Sequence, residues 1–389
     1  MFYELAAPTW GPEERDAIMR CVASGRTTMG EEVAAFEAAF AAYHGKRYAV
    51  MVNSGSSANL IAIASLFYRR DRPLRRGDEV LVPAISWATT YHPLHQHGIK
   101  LRILDVELDT LNMDVSVLER ALTPRTRMVM AVSILGNPAA LDVLRLFCAR
   151  HGLYLIEDNC ESLDGELNGR KTGTFGDIGT FSLFFSHHIS TGEGGVVLTD
   201  DEEEYHLLRS LRAHGWTRDL PPGSPLFEPR ADDCLESYRF ILPGYNVRPM
   251  ELQGAIGRVQ LKKLPGFTMQ RRRNMAHFRE LFGSDERFII QRENGRSSSF
   301  AFTIVLNPAA GHDRAHVTAA LKRADIGYRM ITGGCILRHD VISYYDYTTV
   351  GEIKNAFVAH DHGFFVGNAP IDLKPQIDRL RDVLDDACR

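Results

Sequence analysis

Phe181-Ser182-Leu183-Phe184-Phe185-Ser186-His187-His188-Ile189-Ser190-Thr191-Gly192-Glu193-Gly194-Gly195 is an apolar run that breaks at two histidines and a glycine-rich turn before the chain resumes as Val196-Val197-Leu198-Thr199. Its flanks, 179–183 and 196–199, have the length and apolar content of buried strands. Toward the amino terminus the same kind of run recurs at 48–52, 79–82, 101–106, 128–132 and 154–157, each separated from the next by a helical stretch. This alternation predicts a mainly parallel sheet covered on both faces, with reactive groups gathered where its strands end. Further out, Pro12 opens and Gly25 closes an arm helix with Ile18, Met19 and Val22 on one face. On the other side, 219–233 is proline-rich and polar and is expected as a long surface loop. A boundary is expected at Leu264-Pro265-Gly266, dividing a large domain, 1–264, from a small carboxy-terminal one, 265–389, with strands near Phe288 and over 301–306 and helices near Val317 and Leu380.

Composition narrows the function. The chain of 389 residues is 44% hydrophobic and 24% charged, the balance of a globular enzyme with a large core. A net charge of -4 provides no broad positive field, which argues against nucleic acid and anionic membranes as partners. The six cysteines, at 21, 148, 160, 234, 335 and 388, lie far apart, without the spacing of a zinc site or a disulfide framework. The start, Met1-Phe2-Tyr3-Glu4-Leu5, lacks the basic-then-apolar order of a signal peptide, and no apolar run is long enough to cross a bilayer, so a cytoplasmic location is expected.

Three motifs carry chemistry. Asn53-Ser54-Gly55-Ser56-Ser57-Ala58-Asn59 places a glycine turn between a strand and an apolar helix, where free N–H groups and the helix dipole suit a phosphate; simple serine capping of the helix is the other reading. Ile156-Glu157-Asp158-Asn159-Cys160-Glu161 ends an apolar strand in carboxylates that need a partner. For Asp158 that partner is a protonated pyridine nitrogen, a magnesium ion or a helix terminus. The third motif is the histidine pair. Neighbours in an extended segment point in opposite directions, so one metal ion would rarely take both, and a structural role for the pair is the alternative.

In order and spacing these motifs resemble the DegT/DnrJ/EryC1/StrS sugar aminotransferase family, whose fingerprint runs from a serine through a lysine to Gly-Gly before a strand. Aligned on Glu193-Gly194-Gly195, the lysine falls on His187. Trp87 in Val82-Pro83-Ala84-Ile85-Ser86-Trp87, Asp158, and Gly244-Tyr245-Asn246-Val247-Arg248-Pro249 stand at matching places. No lysine occurs from Thr172 to Leu261, so a slip of register cannot restore one. The resemblance implies an α/β pyridoxal-phosphate-dependent transferase of the aspartate aminotransferase type, fold type I: a large domain with a mainly parallel mixed sheet and a small α/β carboxy-terminal domain. It implies pyridoxal 5'-phosphate, alternating with pyridoxamine 5'-phosphate, held by Gly55, Ser56 and Ser182 at the phosphate, Trp87 on the ring face, Asp158 at the ring nitrogen, and Glu161 beside it. A second-subunit asparagine commonly completes the phosphate site in this family; Asn246 stands in that place, which implies a homodimer with shared active sites.

A lysine there would both hold the cofactor aldehyde covalently and move a proton, whereas imidazole does only the second. The cofactor is therefore expected to be bound non-covalently. Within the family, the histidine variant resembles 3-dehydratases of deoxysugar pathways, through Thr27-Thr28-Met29-Gly30-Glu31, Leu135-Gly136-Asn137-Pro138, Ser186-His187-His188-Ile189, Arg212-Ala213-His214-Gly215-Trp216-Thr217-Arg218 and Phe365-Val366-Gly367-Asn368. This implies that L-glutamate supplies the amino group and that His187 moves the protons while the C3 hydroxyl of GDP-4-keto-6-deoxy-D-mannose leaves as water. The products implied are GDP-4-keto-3,6-dideoxymannose, ammonia and 2-oxoglutarate. His214 and Arg218 match substrate contacts of that branch or form a helix-end basic pair; Arg248 and Arg329 are candidates for the glutamate carboxylate or for surface ion pairs. Another histidine-bearing relative holds an iron-sulfur cluster with closely grouped cysteines, and the scattered cysteines argue against one here. A sugar-nucleotide 4-aminotransferase and a catalytically silent binding protein are the alternatives; the retained Asp158, Trp87 and Gly194-Gly195 argue against the latter.

Overall fold

The computed structural model describes residues 2–221 and 223–389; Met1 of the amino-terminal stretch and Pro222 of the 219–233 stretch lie outside the described residues. Every strand expected in the amino-terminal two thirds is present. They form an eight-stranded sheet in the order Tyr48–Val52, Gly195–Thr199, Ile178–Ser182, Tyr154–Asp158, Thr126–Val132, Glu79–Pro83, Lys100–Leu104, Tyr347–Thr349. Gly195–Thr199 runs antiparallel to both of its neighbours and the other pairs are parallel. Parallel pairing puts Val52, Pro83, Val132, Asp158 and Ser182 at one edge of the sheet, and the reversed strand brings its first residue, Gly195, back beside Ser182 and Val52. That edge is where α/β enzymes collect chemistry.

The apolar helix Gly55–Leu66 is buried on nearly every side, which explains why its sequence lacks a polar face. The arm helix is Pro12–Ser24, closed by Gly25 in the left-handed region at φ 71. Among the described residues between 218 and 232 the chain is mostly irregular, followed by a short helix, Asp233–Ser237.

The second lobe is an antiparallel sheet in the order Phe288–Ile290, Ala301–Leu306, Gly363–Gly367, Tyr328–Arg329. Its core includes Phe278, Phe282, Phe302, Leu321, Phe364 and Leu380. Helix Glu251–Phe282 runs through Leu264-Pro265-Gly266 without ending, so one element of 32 residues belongs to both lobes. Pro265 removes one N–H from that helix but leaves the turns on either side in register. At its amino end Glu251 accepts from the amides of Gly30 at 2.6 Å and Glu32 at 2.7 Å, capping helix Glu31–His44 from outside. The lobes are also tied from the other direction: Tyr347–Thr349 is the edge strand of the large sheet, and Ile331, Cys335, Ile336 and Tyr345 pack into the large core. Among the described residues no helix is long and apolar enough to cross a membrane.

Phe278, on the shared helix, stacks on Phe302 with ring centroids 4.8 Å apart and on Phe282 at 4.7 Å. Phe278→Ala is expected to cost about 3–5 kcal/mol, read as a lowered urea midpoint.

Candidate active site

Asp158 ends its strand with a buried carboxylate. Its Oδ2 accepts from Asn59 Nδ2 and from Thr90 Oγ1, both at 2.8 Å, and its Oδ1 accepts from the Cys160 amide at 3.2 Å. The donors are themselves held. Thr180 Oγ1 donates to Asn59 Oδ1 at 2.6 Å, and Ser86 Oγ lies 2.7 Å from Thr90 Oγ1. Donors from three places along the chain hold the carboxylate in position. Glu157, one residue earlier, points to the other face of the sheet, where the amides of Gly173 and Gly176 meet it at 2.7 and 2.6 Å; burial pushes its carboxyl up.

The Gly55 turn closes one side of the same edge. Ser54 caps helix Gly55–Leu66 through the Ser57 amide at 3.1 Å, which leaves the first-turn amides of Gly55 and Ser56 without helical partners. A Cβ at Gly55 would stand 2.6 Å from Cβ of Ser182, so glycine is what lets the turn approach that serine. Ser56 Oγ reaches Thr89 Oγ1 at 3.2 Å, linking the turn to the helix that Trp87 begins. Trp87 is 57% exposed as a residue, a large aromatic side chain left open three positions before Thr90 of the Asp158 network. Glu161 is half-buried, its Oε2 accepting from the Leu135 amide at 3.0 Å and Thr332 Oγ1 at 3.2 Å, and burial pushes its carboxyl up to about 7.

The two histidines lie in a bend rather than in the extended stretch expected, and the rings of both meet Phe300. His188 is fully buried, with Nε2 3.3 Å from the Ser298 carbonyl. His187 is half-buried, packed edge-on to Phe300 at 5.2 Å and Phe184 at 5.9 Å. Its Nδ1 is sealed without a partner, leaving Nε2 on the open side. Burial, then the charge of Arg271, pushes the imidazole down to about 4, so it is neutral at physiological pH and free to accept a proton.

His187, Gly55, Ser56, Trp87, Asp158, Glu161 and Ser182 thus collect at the carboxyl edge of the large sheet. The remaining candidates do not join them. Asn246 is exposed and accepts from Arg248 Nε at 3.0 Å rather than from the Gly55 turn. The backbone bridge from Ala213 to Asn246 puts both on the ribbon that carries His214, whose ring meets Trp216 edge-on at 6.5 Å, and Arg218, whose guanidinium lies 5.2 Å from the Trp216 ring centroid. Arg329 is an exposed strand residue bonded to the carbonyl of Tyr328 at 3.0 Å. Sequence reasoning missed Asn59, Thr90 and Thr180, the holders of Asp158. Asn59 left a signal, an amide side chain in a helix whose other polar residues are serines.

These residues supply what pyridoxal phosphate needs: free first-turn amides and two hydroxyls for a dianion, an open indole face for a planar ring, and a fixed carboxylate for a ring N–H. The chain belongs to the DegT/DnrJ/EryC1/StrS aminotransferase family, whose pattern it matches over residues 8–366. It is 47% identical over 384 residues to GDP-4-keto-6-deoxy-D-mannose 3-dehydratase of Yersinia pseudotuberculosis, covering 98% of each chain. Among solved structures it is similar to the E. coli GDP-4-keto-6-deoxy-D-mannose-3-dehydratase with bound hydrated PLP, at a TM-score of 0.97 and 45% identity over 99% of this chain and 100% of that one. A structure of GDP-4-keto-6-deoxymannose-3-dehydratase with a trapped PLP-glutamate geminal diamine superposes at a TM-score of 0.96 and 44% identity, over 98% of this chain and 100% of that one.

Stability should report on the two perturbed groups. Glu161, raised to about 7 in the fold from about 4.3 when unfolded, binds a proton in the fold that the open chain has lost, so its contribution fades as pH rises through that window. His187, lowered to about 4 from about 6.5, does the reverse: the unfolded chain binds the extra proton and stability falls as pH drops. Between about pH 4.5 and 6.5 the two oppose each other. The thermal midpoint of Glu161→Gln should therefore climb more steeply with pH across that window than the parent's, and that of His187→Gln less steeply, as read by calorimetry at half-unit steps.

Proposed function

We propose that the chain is a pyridoxal-phosphate-dependent 3-dehydratase of GDP-4-keto-6-deoxy-D-mannose that takes its amino group from L-glutamate and yields GDP-4-keto-3,6-dideoxymannose, ammonia and 2-oxoglutarate. The observation that carries the reading is His187, a neutral imidazole with one open nitrogen, in a stretch from Thr172 to Leu261 that holds no lysine. When bound, the cofactor supplies an electron sink and carries the glutamate-derived amine to the sugar ketone.

The rest is the work of this chain. Gly55 and Ser56 amides with the Ser56 and Ser182 hydroxyls would hold the phosphate, Trp87 the ring face, and Glu161 the polar edge between them. Asp158, held in place by Asn59 and Thr90, would pair with the ring nitrogen. With no covalent anchor, these contacts bear the whole of cofactor retention. His187 would accept a proton at Nε2 and return it to the departing C3 hydroxyl, a shuttle suited to imidazole because one nitrogen both takes and gives. Lacking a primary amine, it cannot release an aminated sugar by exchange, and this turns the outcome from amination to loss of water. The ribbon of His214, Arg218, Asn246 and Arg248 is assigned to the site of a second copy in a homodimer, since the exposed Asn246 side chain turns to Arg248 although its neighbour Val247 accepts from the Asn53 amide of the Gly55 turn; Arg329 is assigned to the glutamate carboxylate.

Protein incubated with pyridoxal phosphate, glutamate and GDP-4-keto-6-deoxymannose should give, by mass spectrometry, a sugar lacking one oxygen and carrying no nitrogen. An amino sugar would replace this reading with a 4-aminotransferase. Borohydride should leave the parent chain unlabelled, whereas His187→Lys should bind the cofactor covalently at that position and lose at least about 100-fold in dehydration rate.

A further inference from the structure

Arg271, on helix Glu251–Phe282, is 3% exposed, and among the described residues no carboxylate lies within ion-pair distance of it. Burial alone pushes its guanidinium down to about 9. A buried cation without a counter-ion costs several kcal/mol, so the position is expensive on stability grounds. Its hydrogen bonds show what it secures. Nη1 donates to the carbonyl of Phe300 at 3.1 Å and to the carbonyl of Asn368. Asn368 Nδ2 donates back to the Arg271 carbonyl at 3.0 Å and to the Ser299 carbonyl at 2.8 Å.

The segment so gripped is pinned on its other side as well. The Ser298 amide donates to the Gly136 carbonyl at 3.0 Å, the Phe300 amide donates to the Leu135 carbonyl at 3.1 Å, and Ser299 is forced to φ 54. The segment supplies one wall for both histidines: the Phe300 ring lies 5.2 Å from the His187 ring and 5.6 Å from that of His188. Buried polar atoms left without partners also concentrate here, at His187 Nδ1, His188 Nδ1, Ser298 Oγ, Ser299 Oγ and Arg271 Nε. A region optimised for stability alone would have paired them.

We propose that Arg271 is a positioning residue for His187: bonded to the carbonyl of Phe300, it fixes the ring against which the imidazole packs and sets an uncompensated positive charge near that imidazole. The inference rests on the reading of His187 as the base. The charge adds to burial in disfavouring imidazolium, and the ring wall keeps the open nitrogen aimed. The other charged or titratable groups around the pair are His188 on the same segment and Arg272 on the long helix; Ser297 to Phe300 contribute none, and Asp158 and Glu161 make no ion pair or hydrogen bond with His187.

The test is a pH titration of the His187 imidazole by NMR in the full chain, with kcat and KM for the sugar nucleotide measured alongside. In Arg271→Met the midpoint should rise by about one pH unit and kcat should fall about tenfold with KM changed less than about twofold. Arg271→Lys, which keeps the charge, should restore the midpoint. A folded Arg271→Met protein with parental midpoint and kcat would overturn the proposal. Should that variant fail to fold, Phe300→Leu keeps the guanidinium and its carbonyl partner; a fall in kcat at constant KM supports the proposal, and an unchanged kcat overturns it. The midpoint reads the effect of Arg271 whatever product forms, so an amino sugar together with a shifted midpoint would remove the dehydratase reading and leave this one standing.

Discussion

A carboxylate buried at the end of a strand needs donors brought to it, and the architecture of the large lobe meets that demand at Asp158. The donors come from three places: Asn59 on the helix after the first strand, Thr90 on the helix that Trp87 begins, and the Cys160 amide just beyond the strand itself. Each element arrives there because parallel strands share one carboxyl edge and the connections return behind it. The reversed strand Gly195–Thr199 completes the edge by bringing Gly195 beside Ser182 and Val52, and with it the loop that carries His187. Asp158, the Gly55 turn and the loop of His187, far apart in the chain, are thereby gathered at one edge of the sheet.

His187 is the point at which this chain departs from the pattern of its family. An amine would anchor and also move protons; imidazole only moves them, so anchorage passes to non-covalent contacts and the base must be held neutral without a bond to the cofactor. The structure does this with burial and with a wall of aromatic rings, one of which is tied down by a guanidinium that has no counter-ion. The segment that bears this wall leads into the small sheet, and the helix that bears the guanidinium belongs to both lobes. The packing around His187 in the large lobe is thus mechanically tied to the small one.

Much of the large sheet was legible because a buried strand advertises itself by a short apolar run, and seven such runs lie in order along the chain. The carboxy-terminal lobe was less legible. Tyr347–Thr349 is three residues of mixed polarity whose only reason to be a strand is the exposed edge of Lys100–Leu104, a partner almost 250 residues away. At Leu264-Pro265-Gly266 the local signal for a break is real, but the helix is held on both sides by packing, against helices Pro12–Ser24 and Glu31–His44 before the proline and against the small-lobe core after it, and tertiary contact outweighs one missing N–H.

The identity of the groups that do chemistry is written in the sequence, because pairing an acid at a strand end with a histidine where an amine is expected requires only residue type and local spacing. What only the folded chain decides is the environment that makes those groups work. Asn59 reaches Asp158 across 99 residues and Arg271 reaches Phe300 across 29, and neither bond has a local signature. Residue type sets which proton can move; solvent exclusion and distant donors, products of packing alone, set whether the group that moves it is charged or neutral at the pH of use.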